Sequence, residues 1–332
     1  MKQEVLIEGG GGMRKGERNR TGQTLESIKI PSDEKDVELK VGRRTVKLTN
    51  LHKPFWNIPL ITKGDLIQYY ADVSTLLLPH LQDRAMVMKR YPNGAEGEFF
   101  FQKRAPEPRP EWIDICEIEH SSGNVIAFPV VRDLASLLWV VNLGCIDLNQ
   151  WYGRCDDVDR PDYLHFDLDP VEGADFSKVR ETALLVHEAL EGLKAPNFVK
   201  TTGSRGIHIY VPIKRGPLQK QVWTFAKTFA QSMERMYPDL VTAEYRIAKR
   251  PKGHVLVDYN QNAWGRTLSS VYSVRPKPNA PVSTPVTWEE VRDGIEIEDF
   301  TLSNVRERLT KEGDLWKPIV QERGRFELET LL

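Results

Sequence analysis

Apolar residues along this chain recur in two rhythms, and their alternation predicts the layout. From Asp65 to Leu78, the positions Leu66, Ile67, Tyr70, Val73 and Leu77 fall near helical spacing, and Pro79 is expected to close that helix. Val179, Ala183, Val186, Leu190 and Leu193 repeat at four and three, which predicts a second amphipathic helix. Val222, Ala226, Phe229, Met233 and Met236 predict a third, ending before Pro238. Such stripes read as faces turned toward a core rather than as ligand contacts. Between the helices run short β-prone segments. Tyr163 to Asp169 is one, stopped by Pro170, and Val255 to Tyr259 is another; Lys200 to Val211 reads as strand, tight glycine turn, strand. Strands alternating with helices imply that the later half is a sheet backed by helices.

The β segments carry the chemistry. Successive side chains of a strand point to opposite faces, so Asp167 and Asp169 share one face and emerge at the strand's end. Two adjacent carboxylates repel unless a cation sits between them, and aspartate oxygens suit Mg²⁺ or Mn²⁺. A pair of such ions is the usual device for phosphate esters. Taken alone, the two aspartates also read as a solvated strand end. Asp258 ends a further apolar run. Between them, Gly203 and Gly206 allow positive φ and close approach, while Ser204, Arg205 and His208 offer a hydroxyl, a guanidinium and an imidazole. That combination suits a triphosphate. The alternative is an ordinary hairpin with a polar tip.

These segments resemble the polymerase domain of bacterial DNA ligase D, of the archaeo-eukaryotic primase superfamily. The resemblance rests on His165-Phe166-Asp167-Leu168-Asp169-Pro170, Thr202-Gly203-Ser204-Arg205-Gly206-Ile207-His208 and Val257-Asp258-Tyr259-Asn260-Gln261-Asn262. Val46 to Lys53, Thr62 to Asp65, Lys89 to Gly94, Glu98 to Lys103 and Tyr272 to Arg275 extend it across about residues 40–300. It implies an α+β (mixed α/β) primase-polymerase-like fold, with central sheets carrying the carboxylates and flanked by helices. It also implies that Asp167, Asp169 and Asp258 hold two divalent ions, Mn²⁺ or Mg²⁺, and that Ser204, Arg205, His208, Gln261 and Arg275 contact the nucleotide. Lys53 and Lys63 would grip a 5′-phosphate, Phe100 and Phe101 would stack on template, and Lys89, Asn149, Lys249 and Arg250 would make further DNA or nucleotide contacts. Unaided, the lysines read as surface residues, His208 as a structural histidine, and Phe99-Phe100-Phe101 as a strand buried on both faces. Asn149 stands where the ligase-fused domains usually carry a histidine, so a role needing protonation there is in doubt.

Composition changes this picture little. The chain has 332 residues and a net charge of −1, so no global basic field advertises nucleic acid. A local strip does: Arg246, Lys249, Arg250, Lys252, Arg266, Arg275 and Lys277 outnumber Glu244 and Asp258, which is what a polyanion needs. Residues 289–330 are rich in acids. The 3 cysteines show neither zinc spacing nor a disulfide framework, in keeping with a reducing cytoplasm. No apolar run reaches membrane-spanning length and no signal-type N-terminus is visible.

The expected organisation is a flexible tail over 1–38, a catalytic domain over 39–300 with an end-binding half (39–150) and a catalytic half (151–300), and an extension over 301–332. No lysine-centred adenylation motif is visible, so a stand-alone, nucleoid-associated cytoplasmic polymerase is expected. It would act on gapped or broken DNA in non-homologous end joining, or fill gaps in excision repair, and the resemblance implies a preference for ribonucleotides. Its partners would be nucleoside triphosphates, a Ku-like protein and a separate ligase. The alternatives are a primase that starts chains de novo and a non-catalytic end-bridging protein; a metal phosphoesterase ranks last.

Overall fold

The first helix starts where its capping chemistry dictates. Thr62 Oγ1 accepts the backbone N–H of Asp65 (3.1 Å), while the Asp65 carboxylate accepts that of Thr62 (2.8 Å), a reciprocal capping box. The computed structural model describes residues 28–332, so residues 1–27 of the expected tail lie outside the described residues. The chain forms two compact units. One takes it to Gln150 and adds Tyr272–Val282 and Thr301–Asp314; the other holds Trp151–Val271, Ser283–Phe300 and Leu315–Leu332. Residues 301–332, expected as an extension, are divided between the two units.

In the first unit, chain order is β1 (Val37–Val41), β2 (Arg44–Leu48), β3 (Pro54–Trp56), β4 (Ile61–Thr62), α1 (Lys63–Leu81), β5 (Met86–Arg90), β6 (Phe100–Gln102), β7 (Ile115–Glu119), β8 (Val125–Pro129), α2 (Leu134–Asn142) and β9 (Cys145–Gln150). The strands make three hairpins and a three-stranded antiparallel sheet ordered β6-β5-β9. The whole predicted stripe of α1 is buried. Pro79 does not close the helix, which runs on to Leu81. So near the end a proline forfeits one backbone bond, and buried His80, paired with Asp314 (2.9 Å), holds the last turn. Tyr70 ties in the Tyr272–Val282 segment: its hydroxyl donates to Ile146 O (2.7 Å) and accepts the N–H of Val274 (3.0 Å).

The second unit is built on one six-stranded sheet. Its elements are β10 (Tyr163–Pro170), α3 (Phe176–Gly192), β11 (Phe198–Thr201), β12 (Ile207–Pro212), α4 (Gln219–Met236), β13 (Val241–Thr242), β14 (Val255–Asp258), β15 (Pro285–Val286) and α5 (Trp288–Asp293). The order is β13-β14-β10-β12-β11-β15, antiparallel throughout except for β13 with β14. Leu164, Phe166 and Leu168 alternate with the aspartates of β10 and are fully buried. On their side α4 packs through Phe229 onto Phe166, rings 4.7 Å apart. The helical stripes are buried except for half-buried Phe229 and for Leu193 and Met236 at their ends, which are exposed. Both lie at the last turn, beyond the sheet-facing run.

Among the described residues no helix is long and apolar enough to cross a membrane. Cys145, in β9, is a buried free thiol.

Candidate active site

Strand register decides which side chains meet. Asp167 of β10 lies opposite Asp258 of β14 on one side and opposite His208 of β12 on the other, and His208 lies opposite Lys200 of β11. Residues opposite each other in a sheet share a face, so Asp258, Asp167, His208 and Lys200 form one row across four strands. Asp169 follows two residues along β10 on the same face. The Asp258 carboxylate is braced at both oxygens, by the N–H of Asn260 (2.8 Å) and by Gln261 Nε2 (3.1 Å). Beneath the row, His165 is sealed between Tyr152 (4.0 Å) and Tyr210 (5.2 Å), and burial pushes its pKa down to about 3.

The carboxylates of the row crowd one another. The charge of Asp167 first, then burial and Asp258, raise the Asp169 carboxyl to about 7, against the pull of Arg205 and Arg250. The β11–β12 turn is built to come close. Gly203 holds φ +64°, and a Cβ on Gly206 would stand 2.1 Å from Leu168 O, so only glycine lets the turn lie against β10. Thr202 Oγ1 gathers the backbone N–H groups of Ser204 (3.1 Å), Arg205 (3.3 Å) and Gly206 (3.1 Å), fixing the turn that presents half-buried Ser204 and exposed Arg205. Lys249 is exposed, and Arg250 is held by the carbonyls of Glu244 and Tyr245, both at 3.1 Å.

The remaining predicted residues belong to the first unit. Lys63 opens α1, is 5 % exposed and donates to Thr49 O (2.7 Å). Burial first, then the charge of Lys53, press its pKa down to about 8, and Arg90 adds to the repulsion. Lys53 itself donates to Pro92 O (2.6 Å) and Asn93 Oδ1 (3.3 Å). Neighbouring cations at a helix N-terminus can receive an anion. Phe99, Phe100 and Phe101 are 50, 45 and 59 % exposed, so the strand buried on both faces is overturned: β6 is an edge strand of three residues. Lys89 Nζ stands 4.1 Å over Phe99 and 5.6 Å over Phe101. Asn149 is buried in β9 and donates to Asp147 O (3.0 Å), and Arg275 Nε lies 3.3 Å from Asp147 Oδ2. The basic strip is therefore split, because Arg275 and Lys277 belong to the first unit and the rest to the second.

Three residues of these clusters escaped the reading of the sequence. Lys200 and Thr202 lie in the quoted hairpin, and the symmetry of a turn over 202–206 pairs 200 with 208. Asp147 carries contacts to Asn149 and Arg275, and its only signal was the segment around Asn149.

Comparison with known proteins bears on the family and the fold. The family model described as LigD, primase-polymerase domain, matches residues 62–316. The multifunctional non-homologous end joining protein LigD of Mycolicibacterium smegmatis is 31 % identical over 276 residues, covering 82 % of this chain and 36 % of the relative. The bifunctional LigD of Bacillus subtilis is 29 % identical over 269 residues, covering 81 % and 43 %. The chain thus spans well under half the length of these relatives. The polymerase domain of Mycobacterium tuberculosis Ligase D, solved in complex with DNA, superposes with a TM-score of 0.78 at 28 % identity, covering 83 % of this chain and 98 % of that one. With the fold, the family model and the solved domain in agreement, the chain belongs to the LigD primase-polymerase family, whose domain is a nucleotidyltransferase-type polymerase.

Proposed function

We propose that this chain is a template-directed, divalent-metal-dependent polymerase that fills gaps or extends ends in broken DNA, in the setting of non-homologous end joining. The observation that carries the reading is the row of Asp258 and Asp167 with Asp169 beside it, facing a glycine turn that presents Ser204 and Arg205. The donor set suits Mg²⁺ or Mn²⁺, and the raised Asp169 carboxyl is the mark of negative charge awaiting a counter-ion. Among the described residues no three His, Cys, Asp or Glu side chains converge into a ready-made cage. Ions of phosphate chemistry are commonly held by one or two carboxylates, completed by substrate oxygens and water. Two divalent ions held by Asp167, Asp169 and Asp258 would supply charge that lowers a primer hydroxyl's pKa and neutralises a triphosphate.

The protein's own residues do the positioning. Ser204, Arg205 and His208 donate to triphosphate oxygens, Gln261 holds Asp258 in place, and Lys249 and Arg250 meet backbone phosphate. In the first unit, Lys53 and Lys63 receive the 5′-phosphate across a gap, Phe100 and Phe101 stack on unpaired template, and Lys89, Asn149 and Arg275 form a further nucleotide-contacting group. The ribonucleotide preference, the Ku-like partner and the separate ligase follow from likeness to the LigD proteins alone.

Extension of a 5′-phosphorylated gapped duplex with each nucleotide type and Mn²⁺, by wild type and by Asp167→Ala/Asp169→Ala, tests the reading. Templated addition lost in the variant supports it. The second reading, an end-bridging protein without chemistry, is favoured by the exposed aromatics and paired lysines of the first unit. It takes over if wild type adds nothing yet still binds the gap through Lys53 and the 5′-phosphate.

A further inference from the structure

One charged group in the second unit has no part in the reading above. Lys200 is completely buried in the middle of β11, where an ammonium ion is costly unless its donors are met. Among its partners, its Nζ meets Ser269 O at 3.1 Å, Ser283 Oγ, and His208 Nδ1 at 2.7 Å. Ser283 commits its own proton to Thr201 O (2.9 Å), so its lone pairs face Lys200. A lysine ammonium only donates, so the imidazole nitrogen it meets must accept. That assigns the ring proton of His208 to Nε2, which stands 3.2 Å from Asp167 Oδ1.

The geometry points to Lys200 as the positioning residue of the nucleotide site: it locks His208 in the Nε2–H form, with its donor on the carboxylate side of the row. Lys200 touches neither metal nor nucleotide and acts through His208. The lock matters because an imidazole left to itself exchanges its two tautomers and can turn its acceptor nitrogen toward an anion. Held by Lys200, the ring keeps its N–H on the Asp167 side of the row, where it can turn to a phosphate oxygen when nucleotide arrives. The inference rests on the polymerase reading for its consequence, while the lock itself is independent of that reading.

The test has two arms. The first is a long-range ¹⁵N–¹H spectrum of ¹⁵N-histidine-labelled wild type, with the His208 signals identified by their loss in His208→Gln. Protonated Nε2 and bare Nδ1 are expected. A proton on Nδ1, or on both nitrogens, overturns the proposal, since Lys200 would then be a neutral amine or not a donor to the ring. This arm needs no activity and no Lys200 variant, so it stands even if the polymerase reading fails. The second arm measures nucleotide KM and kcat on the gapped duplex for Lys200→Met, Lys200→Gln, His208→Ala and Lys200→Met/His208→Ala. Outer-sphere partners of this kind cost about 10–100-fold when removed. Lys200→Met is expected to lose that much, mainly in KM, and Lys200→Gln, which keeps an N–H toward Nδ1, to recover part of it. The double variant is expected to be no worse than His208→Ala alone. Additive losses, or no recovery with glutamine, would show Lys200 to be a packing residue and sink the proposal. If Lys200→Met fails to fold, the wild-type spectrum and the glutamine variant still decide.

Discussion

The two units carry their candidate phosphate-binding groups in opposite ways. In the second, every central group sits on a strand, and cross-strand register brings Asp258, Asp167, His208 and Lys200 into one row. In the first, the cations lie at a loop and a helix start, and the aromatics lie on a three-residue edge strand. A sheet interior holds charges at fixed separations, which is what reaction centres need. A helix N-terminus and an exposed edge hold groups that recognise a ligand without having to be placed to a fraction of an ångström. The difference shows in the charges themselves. Crowding pushes Asp169 up to about 7 and Lys63 down to about 8. In each case like charge and burial act together against the charged form.

The contrast can be broken most severely at Gly206. Any side chain there meets Leu168 O, so Gly206→Ala should cost about 3 kcal/mol or more of stability and remove nucleotide addition. Urea unfolding alongside the extension assay measures both; a stable, active alanine variant would show that the close approach of turn and strand is dispensable.

A smaller effect is expected in the first unit. Lys63→Ala should weaken binding of a 5′-phosphorylated end by roughly 10–100-fold, about the 1.5–3 kcal/mol of a charged hydrogen bond, and leave 5′-hydroxyl ends nearly unaffected. Fluorescence anisotropy on paired substrates reads this. The sign of the pH effect follows from the lowered pKa: Lys63 is cationic below about 8 and neutral above it, so the preference for 5′-phosphate should fade as pH rises through that value. A preference that is flat between pH 7 and 9 would separate Lys63 from the phosphate.

Smaller still is the aromatic contribution. Phe100→Ala or Phe101→Ala should lose about 1–3 kcal/mol of binding to unpaired template, with little change in thermal stability because both rings are exposed. A large fall in melting temperature would mean that the rings are structural after all.

Legibility in the sequence follows the same division. The alternation in Tyr163–Pro170 was enough to place both aspartates on one face, because side-chain direction in a strand has a period of two and needs no partner. The hairpin pairing His208 with Lys200 was within reach, but Lys200 drew no notice, since a buried lysine defies the ordinary expectation for that residue. Lys53 and Lys63 carried no local signal at all. Their closeness depends on how the loop before α1 folds back, and only likeness to a family singled them out. Exposure of Phe99 to Phe101 was equally hidden, because three successive aromatics do not reveal whether their strand is an edge. The basic strip misled for a related reason: chain proximity joined Arg275 and Lys277 to Arg246 and Lys249, whereas the fold returns the Tyr272–Val282 segment to the first unit.

The central claim is that strand register makes one reaction centre from aspartates far apart in sequence, and Asp258→Asn tests it most directly. Asparagine keeps the shape and can still accept the N–H of Asn260 at Oδ1, and a turned Gln261 amide can offer its oxygen to the new Nδ2, so mainly the charge is lost. Single-turnover addition to a gapped duplex should fall on the order of a thousandfold with folding intact, beyond the 10–100-fold typical of outer-sphere residues. Addition at the wild-type rate would contradict the account, because a carboxylate directly opposite Asp167 would then have no share in the chemistry.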